Sequence, residues 1–250
     1  MKRWHAICFD LDNTLFSHET AFQKAVCYCF KDLSDRWYKQ GKISSVVDID
    51  EWFTIFKSNC DKYWSLFEDK KVDSQTYRRL RYYETVTHMN LPYSCEEADY
   101  FQNHYYRVVD RFSEPYPELD SIFSLLKENS FETAIITNGS ASTQYRKIKR
   151  LGIEMDIRSF FISEEVGLSK PNKEMFDYVK EQLELGSEHT LLYVGDSWEH
   201  DVVGSMNAGW DAVYLNTREQ KPTTDHIPFA TCSSLAEVKE LIIVENHLKG

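Results

Sequence analysis

Asp10 and Asp12 stand one residue apart, directly after the short apolar run Ala6-Ile7-Cys8-Phe9. That run reads as a buried strand. Carboxylates beside a hydrophobic core are costly unless a metal or a fixed cation neutralises them. In extended backbone, residues i and i+2 point the same way, so both acids can face one site at the strand's carboxyl end. Open α/β sheets place ligands there. The competing reading is an Asp-rich turn, with Asn13 supplying the turn chemistry.

Three later stretches bear on that choice. Ile135-Ile136 runs into Thr137-Asn138-Gly139, a hydroxyl, an amide and a flexible backbone ahead of a helix whose first N–H groups can aim at an anion. An ST or Asx turn capping that helix is the alternative. Lys170-Pro171 precedes another helix, although a lone lysine is ordinarily a solvated charge. Val194 runs into Gly195-Asp196-Ser197-Trp198-Glu199-His200-Asp201, so Asp196 holds the place on its strand that Asp10 holds on the first. Gly195 would let backbone approach a ligand closely; the alternative is an N-cap aspartate followed by a solvated one. Taken together, Asp10, Asp12 and Asp196 would converge and gather too much negative charge to stand alone. Oxygen-only ligands suit Mg²⁺. Thr137 and Lys170 then supply donors to phosphate oxygens, an arrangement for phosphoryl transfer, where positioning and charge neutralisation do most of the catalysis.

The elements that must position these residues follow from periodicity. Stripes through Phe22–Trp37, Trp52–Phe67, Tyr77–Val86 and Ala98–Phe112 recur at helical spacing, and Ser94-x-x-Glu97 is a capping-box signature. Residues 17–114 therefore read as a helical bundle with aromatic packing, ended by Glu114-Pro115-Tyr116-Pro117. From Pro117 the chain alternates. Strands are expected at 133–136, 160–162, 191–194 and 212–215. Helices are expected at 118–128, 142–151 closed by Gly152, 171–185 opened by Pro171, 199–208 closed by Gly209, and 235–244 capped by Ser234. Thr217 to Pro228 reads as a polar surface loop. Such alternation implies an α/β fold, a Rossmann-like parallel sheet, with the bundle inserted after the first strand. The expected domains are a core of 1–16 and 115–250 and a helical domain of 17–114.

Composition narrows the partners. A net charge of −11 over 250 residues argues against nucleic-acid polymers and anionic membrane surfaces. It leaves room for a small phosphorylated metabolite, since one divalent cation and one lysine reverse the local field. The six cysteines form no CxxC pair and read as reduced thiols. No signal peptide and no membrane span is read from the sequence, so the expected location is cytoplasmic.

Asp-x-Asp-x-Thr, Thr137-Asn138-Gly139, Lys170-Pro171 and Gly-Asp-x-x-x-x-Asp, in that order, resemble the haloacid dehalogenase (HAD) superfamily over essentially the whole chain, including a C1-type helical cap. The resemblance implies that Asp10 is a nucleophile forming an aspartyl-phosphate and that Asp12 is the general acid and then base, its backbone carbonyl on Mg²⁺. It further implies that Thr14 orients the motif. Thr137, with the Asn138 and Gly139 backbone, would hold the phosphoryl group. Lys170 would balance charge, Asp196 would ligate Mg²⁺, and Asp201 would act through water or by fixing Lys170. The segment from Thr137 through Lys173 is similar to the house-cleaning pyrimidine 5′-nucleotidases of that superfamily. This points to a Mg²⁺-dependent phosphatase, with a nucleoside monophosphate as one substrate and phosphoserine, phosphoglycolate or sugar phosphates as alternatives. Phosphomutase and non-catalytic readings stand behind it. Dehalogenases of the superfamily lack an acid at the position of Asp12. Leaving-group specificity is expected from the helical domain, with Phe16, His18 and the bundle aromatics as candidates.

Overall fold

The computed structural model describes residues 2–248. Residues 1, 249 and 250, included in the expected core, lie outside the described residues. The chain divides into two compact units, Met1–His18 with Ser113–Gly250, and Glu19–Phe112.

The first unit is a parallel α/β fold. Its strands are β1 (Ala6–Phe9), β2 (Glu132–Thr137), β3 (Ser159–Ile162), β4 (Leu191–Gly195), β5 (Asp211–Leu215) and β6 (Ala230–Cys232), in the spatial order β3-β2-β1-β4-β5-β6. Every pairing is parallel, and in register Phe9 lies beside Ile135 on one side and Val194 on the other. β1 and β4 are buried throughout because helices cover both faces of a parallel sheet. This is the doubly wound strand order, whose direction reverses between β1 and β4, so the carboxyl ends of those strands open onto the usual ligand crevice.

The helical unit carries α1 (His18–Lys39, whose first residue belongs to the sheet unit), α2 (Ile49–Glu68), α3 (Ser74–His88) and α4 (Cys95–Val108), then a 3₁₀ turn over Val109–Phe112. Asp48, Asp73 and Ser94 each accept a first-turn N–H, which stops α2, α3 and α4 from fraying. The reciprocal half of the expected capping box is replaced. Glu97 instead accepts from the Trp37 indole at 2.9 Å and from Lys42 at 3.1 Å. Trp52 is the centre of the packing, stacked on Phe30 at 3.7 Å and on Phe56 at 4.7 Å. All three rings are fully buried, so they are core.

In the sheet unit α5 (Leu119–Glu128) precedes β2, and α6 (Ala141–Leu151) follows it, closed by Gly152 at φ 75°. A short α7 (Ser163–Val166), not expected from periodicity, follows β3, and α8 (Lys173–Gln182) precedes β4. Pro171 does not open α8: Asn172 occupies the N-cap, and Pro171 ends the loop before it. The expected helix at 199–208 begins as a π-helical turn, Trp198–Val203, and only then becomes α9 (Gly204–Asn207). β6 was hidden from the pattern by its brevity, and α10 (Leu235–Glu245) is capped by Ser234. Among the described residues no helix is long and apolar enough to cross a membrane, and all six cysteines are free.

Because the helical unit is packed around one indole, Trp52→Ala should cost about 3–5 kcal/mol. Denaturant unfolding followed by circular dichroism checks it; a loss below about 1 kcal/mol would contradict the packing described here.

Candidate active site

The strands deliver their polar ends to one place. Asp10 follows β1 and donates its backbone N–H to Val194 at 2.9 Å, which ties it to β4. Asp196 follows β4 directly. Asp201 returns to the same point because the π-helical turn carries an extra residue: the N–H groups of Asp201 and Val202 both reach the Ser197 carbonyl. Its Oδ2 accepts the Ser197 N–H at 2.9 Å. A methyl group on Gly195 would overlap the Asp201 carboxylate. Gly195 therefore makes room for a side chain of this chain, where the sequence suggested room for a ligand.

Lys170 is the hub. Its Nζ donates to Asp10 Oδ1 at 2.6 Å, to Asp201 Oδ1 at 2.7 Å and to the Tyr193 hydroxyl at 2.9 Å. The Tyr193 hydroxyl in turn donates a hydrogen bond to the Ile136 carbonyl at 2.8 Å. The loop bearing Lys170 is clamped by Asn138, whose Oδ1 accepts the Lys170 N–H at 3.0 Å and whose Nδ2 donates to the Lys170 carbonyl at 2.9 Å. Thr14 donates its hydroxyl to Asp10 Oδ2 at 3.1 Å, with Asp196 Oδ1 at 3.5 Å.

Ligand oxygens of Asp10, Asp196 and Asp201 lie within 4.8 Å of one another, all three residues buried. The trio differs from the expected one. Asp201 is a member and the Asp12 carboxylate is not, because two donors from α6 hold that carboxylate elsewhere. Lys147 Nζ meets its oxygens at 2.7 and 2.8 Å, and Gln144 Nε2 donates to Oδ2 at 3.0 Å. His18 Nδ1 lies 3.5 Å from Oδ1. Of the residues expected to hold phosphate, Thr137 accepts from Gln144 at 2.7 Å. Gly139 bends at φ 136° and donates its N–H to Ser163 Oγ at 3.0 Å. The N-terminus of α6 carries an anion from its own chain: Glu164 Oε2 accepts the Ala141 N–H at 2.8 Å.

Electrostatics follow the packing. Burial drives the Asp10 carboxyl up to about 7, with Lys170 pulling down and Asp201 pushing further up. Burial, then repulsion from Asp10 and Asp201, raises Asp196 to about 8 against the pull of Arg218 and Lys170. Burial also pushes on Asp12, but Lys147, His18 and Gln144 together outweigh it and hold that carboxyl at about 2. Lys170 loses solvation by burial, yet Asp10 and Asp201 keep it firmly charged.

Tyr193, Gln144, Lys147 and Arg218 were missed in the sequence. Tyr193 sits inside an apolar strand, and Arg218, which pairs with Asp196, lies in what reads as a polar surface loop. That loop also carries Thr224, which accepts the Trp198 indole N–H at 2.9 Å. Gln144 and Lys147 left only a spacing, an amide and an amine three residues apart on one face of an expected helix; their burial is visible in the structure alone.

Residues 4–209 match the family model for haloacid dehalogenase-like hydrolases, and the chain belongs to that family. Among its relatives, the HAD-hydrolase YfnB of Bacillus subtilis is 26% identical over 249 residues, 98% of each chain. The pyrimidine 5′-nucleotidase YjjG of Escherichia coli is 27% identical over 241 residues, covering 96% of this chain and 98% of YjjG. The crystal structure of YfnB bound to magnesium superposes with a TM-score of 0.79 at 24% identity, covering 96% of this chain and 99% of that one.

The donor set fits a hard divalent cation. Three buried carboxylates offer only oxygen, and the two cations touching them, Lys170 and Arg218, leave a net negative charge. In metal-free protein this has a signed consequence. A carboxyl raised in the folded state binds its proton more tightly there than in the unfolded chain, so its stability contribution is lost as pH rises from about 4 towards 8. Asp10 and Asp196 should therefore make metal-free protein melt lower at pH 8 than at pH 5, and Asp196→Asn should remove part of that slope. Mg²⁺ should raise the melting temperature more at pH 8 than at pH 5. Scanning calorimetry at both pH values checks this, and a Mg²⁺ response that is larger at pH 5 would contradict it.

Proposed function

We infer that this hydrolase is a Mg²⁺-dependent phosphatase that cleaves a small-molecule phosphomonoester through an aspartyl-phosphate on Asp10. The observation that carries the reading is the Lys170 ammonium fixed between Asp10 and Asp201 beside Asp196. It holds one buried carboxylate ready to attack in a site whose remaining charge calls for a metal. Asp10 and Asp196, with the Asp12 carbonyl, would hold Mg²⁺, which when bound neutralises charge on the phosphoryl group. Asp201 supports from behind through Lys170.

In the first half of the reaction an Asp10 oxygen bonds to phosphorus while the bond to the leaving oxygen breaks. Asp12 gives that oxygen a proton. In the second half Asp12 takes a proton from water, whose oxygen bonds to phosphorus as the Asp10–phosphorus bond breaks. Ionised Asp12 suits the second half directly. Its proton for the first half enters with the substrate monoanion, since a phosphomonoester's second pKa is about 6. Thr14 and Lys170 keep Asp10 from rotating. Thr137 and the backbone of Asn138 and Gly139 receive the phosphoryl oxygens, Gly139 by exchanging Ser163 for substrate.

Leaving-group selection is assigned to the helical segment 17–114. A nucleoside 5′-monophosphate is the favoured substrate, supported by the likeness to YjjG along nearly the whole chain. The six free thiols suit a cytoplasmic enzyme. Against dehalogenation stands Asp12, for which that chemistry has no use and which this chain holds with two dedicated donors.

The test is phosphate release from nucleoside monophosphates, phosphoserine, phosphoglycolate and sugar phosphates, each with Mg²⁺ and with EDTA. Turnover should need the metal, be fastest on a nucleoside monophosphate, and fall at least about 1000-fold in Asp10→Asn. Halide release from haloacids without phosphate release from the panel would refute the phosphatase reading.

A further inference from the structure

Gln144 is buried and its Nε2 serves two sides of the site at once. It lies 2.7 Å from Thr137 Oγ1 and 3.0 Å from Asp12 Oδ2, with the Asn138 carbonyl at 3.3 Å. Lys147, one turn further along α6, is equally buried and touches both Asp12 oxygens. Its stem also brings Nζ to 5.9 Å from the centre of the Phe16 ring. Lysine and glutamine give up much rotamer freedom when buried, and each is immobilised here on the same carboxylate. A methyl group on Gly139 would meet Gln144 at 3.4 Å, so the turn after Thr137 is packed against this amide.

We propose that Gln144 and Lys147 are positioning residues that hold the Asp12 carboxylate clear of the Asp10–Asp196–Asp201 trio and in fixed relation to Thr137. The inference rests on the phosphatase reading given above. Asp12 lies two residues from a carboxylate of the trio on a short, rotatable side chain. Turned onto a divalent cation, its oxygens would be engaged and unable to pass a proton to a leaving group or take one from water. The ammonium of Lys147 offers a competing seat that touches both oxygens. Gln144 fixes Oδ2 and ties it, through a single amide nitrogen, to the hydroxyl expected to bind phosphate. The bridge aligns the proton-transfer group with the phosphoryl group without touching the phosphorus itself.

Two measurements test this. The first compares kcat/KM for p-nitrophenyl phosphate, whose leaving group needs little protonation, with that for the best alkyl phosphate of the panel. Lys147→Met should lower the alkyl value about 100-fold and the p-nitrophenyl value less than about threefold. Gln144→Leu should show the same asymmetry more weakly, Lys147→Arg should recover most of the loss, and Lys147→Met should add nothing in an Asp12→Asn background. Equal losses on both substrates, or full additivity with Asp12→Asn, would overturn the proposal.

The second measurement needs no substrate. In Lys147→Met the released carboxylate can join the trio, so Mg²⁺ binding by calorimetry should tighten about tenfold, and the gain should vanish when Asp12 is also Asn. A gain that persists in the double variant would mean simple charge removal and would overturn the proposal. Wild-type protein that hydrolyses no phosphate would sink the phosphatase reading, while the calorimetry would still decide where Asp12 is held.

Discussion

A single buried ammonium among three buried carboxylates is the constraint on which the rest of this site depends. Lys170 has three acceptors within 2.9 Å, and removing the lysine would strand the Asp10 and Asp201 charges in the interior. The surrounding features serve that contact. Asn138 clamps the lysine backbone, Tyr193 accepts its third N–H, and Gly195 leaves space for Asp201. The π-helical turn, costly as regular helix, is what swings Asp201 back over the end of β4. Such irregular turns concentrate where a side chain must be aimed. Lys170 and Arg218 together cannot balance three acids. Burial first, and that excess second, raise the carboxyls of Asp10 and Asp196, and the excess makes the site a seat for a divalent cation.

Topology explains why these residues meet although they are far apart in the chain. β1 and β4 are neighbours despite the long stretch between them, and β2 flanks β1 on the other side. Any polar residue placed just past those three strands arrives in the same crevice. The scaffold alone does not choose a reaction, because one fold hosts many. The choice lies in the donors: Gln144 and Lys147 of α6 on Asp12, Thr14 and Lys170 on Asp10, and a threonine hydroxyl at the end of β2.

Much of this was legible in the residues. The alternation after Pro117 gave every long strand of the sheet, because a strand buried on both faces reads as an unbroken apolar run. The ends of β1, β2 and β4 announced themselves as sudden polar residues after such runs. Other parts had no local signature. A π-helical turn looks like any helix in periodicity, so the way Asp201 is carried back to Lys170 had no signature, although its supporting place beside that lysine did. The i, i+2 rule placed Asp12 beside Asp10, but the chain already bends at Leu11, between the two acids, and distant donors capture the Asp12 side chain. Arg218 sits in a segment whose composition is that of an exposed loop. Its role depends on a partner more than twenty residues away, which no short-range pattern encodes.

The central claim is that Asp10 carries the phosphoryl group between two half-reactions, and it is most directly tested by trapping that species. Asp12→Asn protein, loaded with Mg²⁺ and mixed with p-nitrophenyl phosphate, whose leaving group needs little protonation, can complete the first half but lacks the base needed for the second. Acid quenching followed by peptide mass spectrometry should then find one phosphoryl group on the peptide bearing Asp10, absent when Asp10 is also Asn. Wild-type turnover of that substrate with no adduct at Asp10 in the Asp12→Asn variant, or an adduct at another residue, would contradict the account.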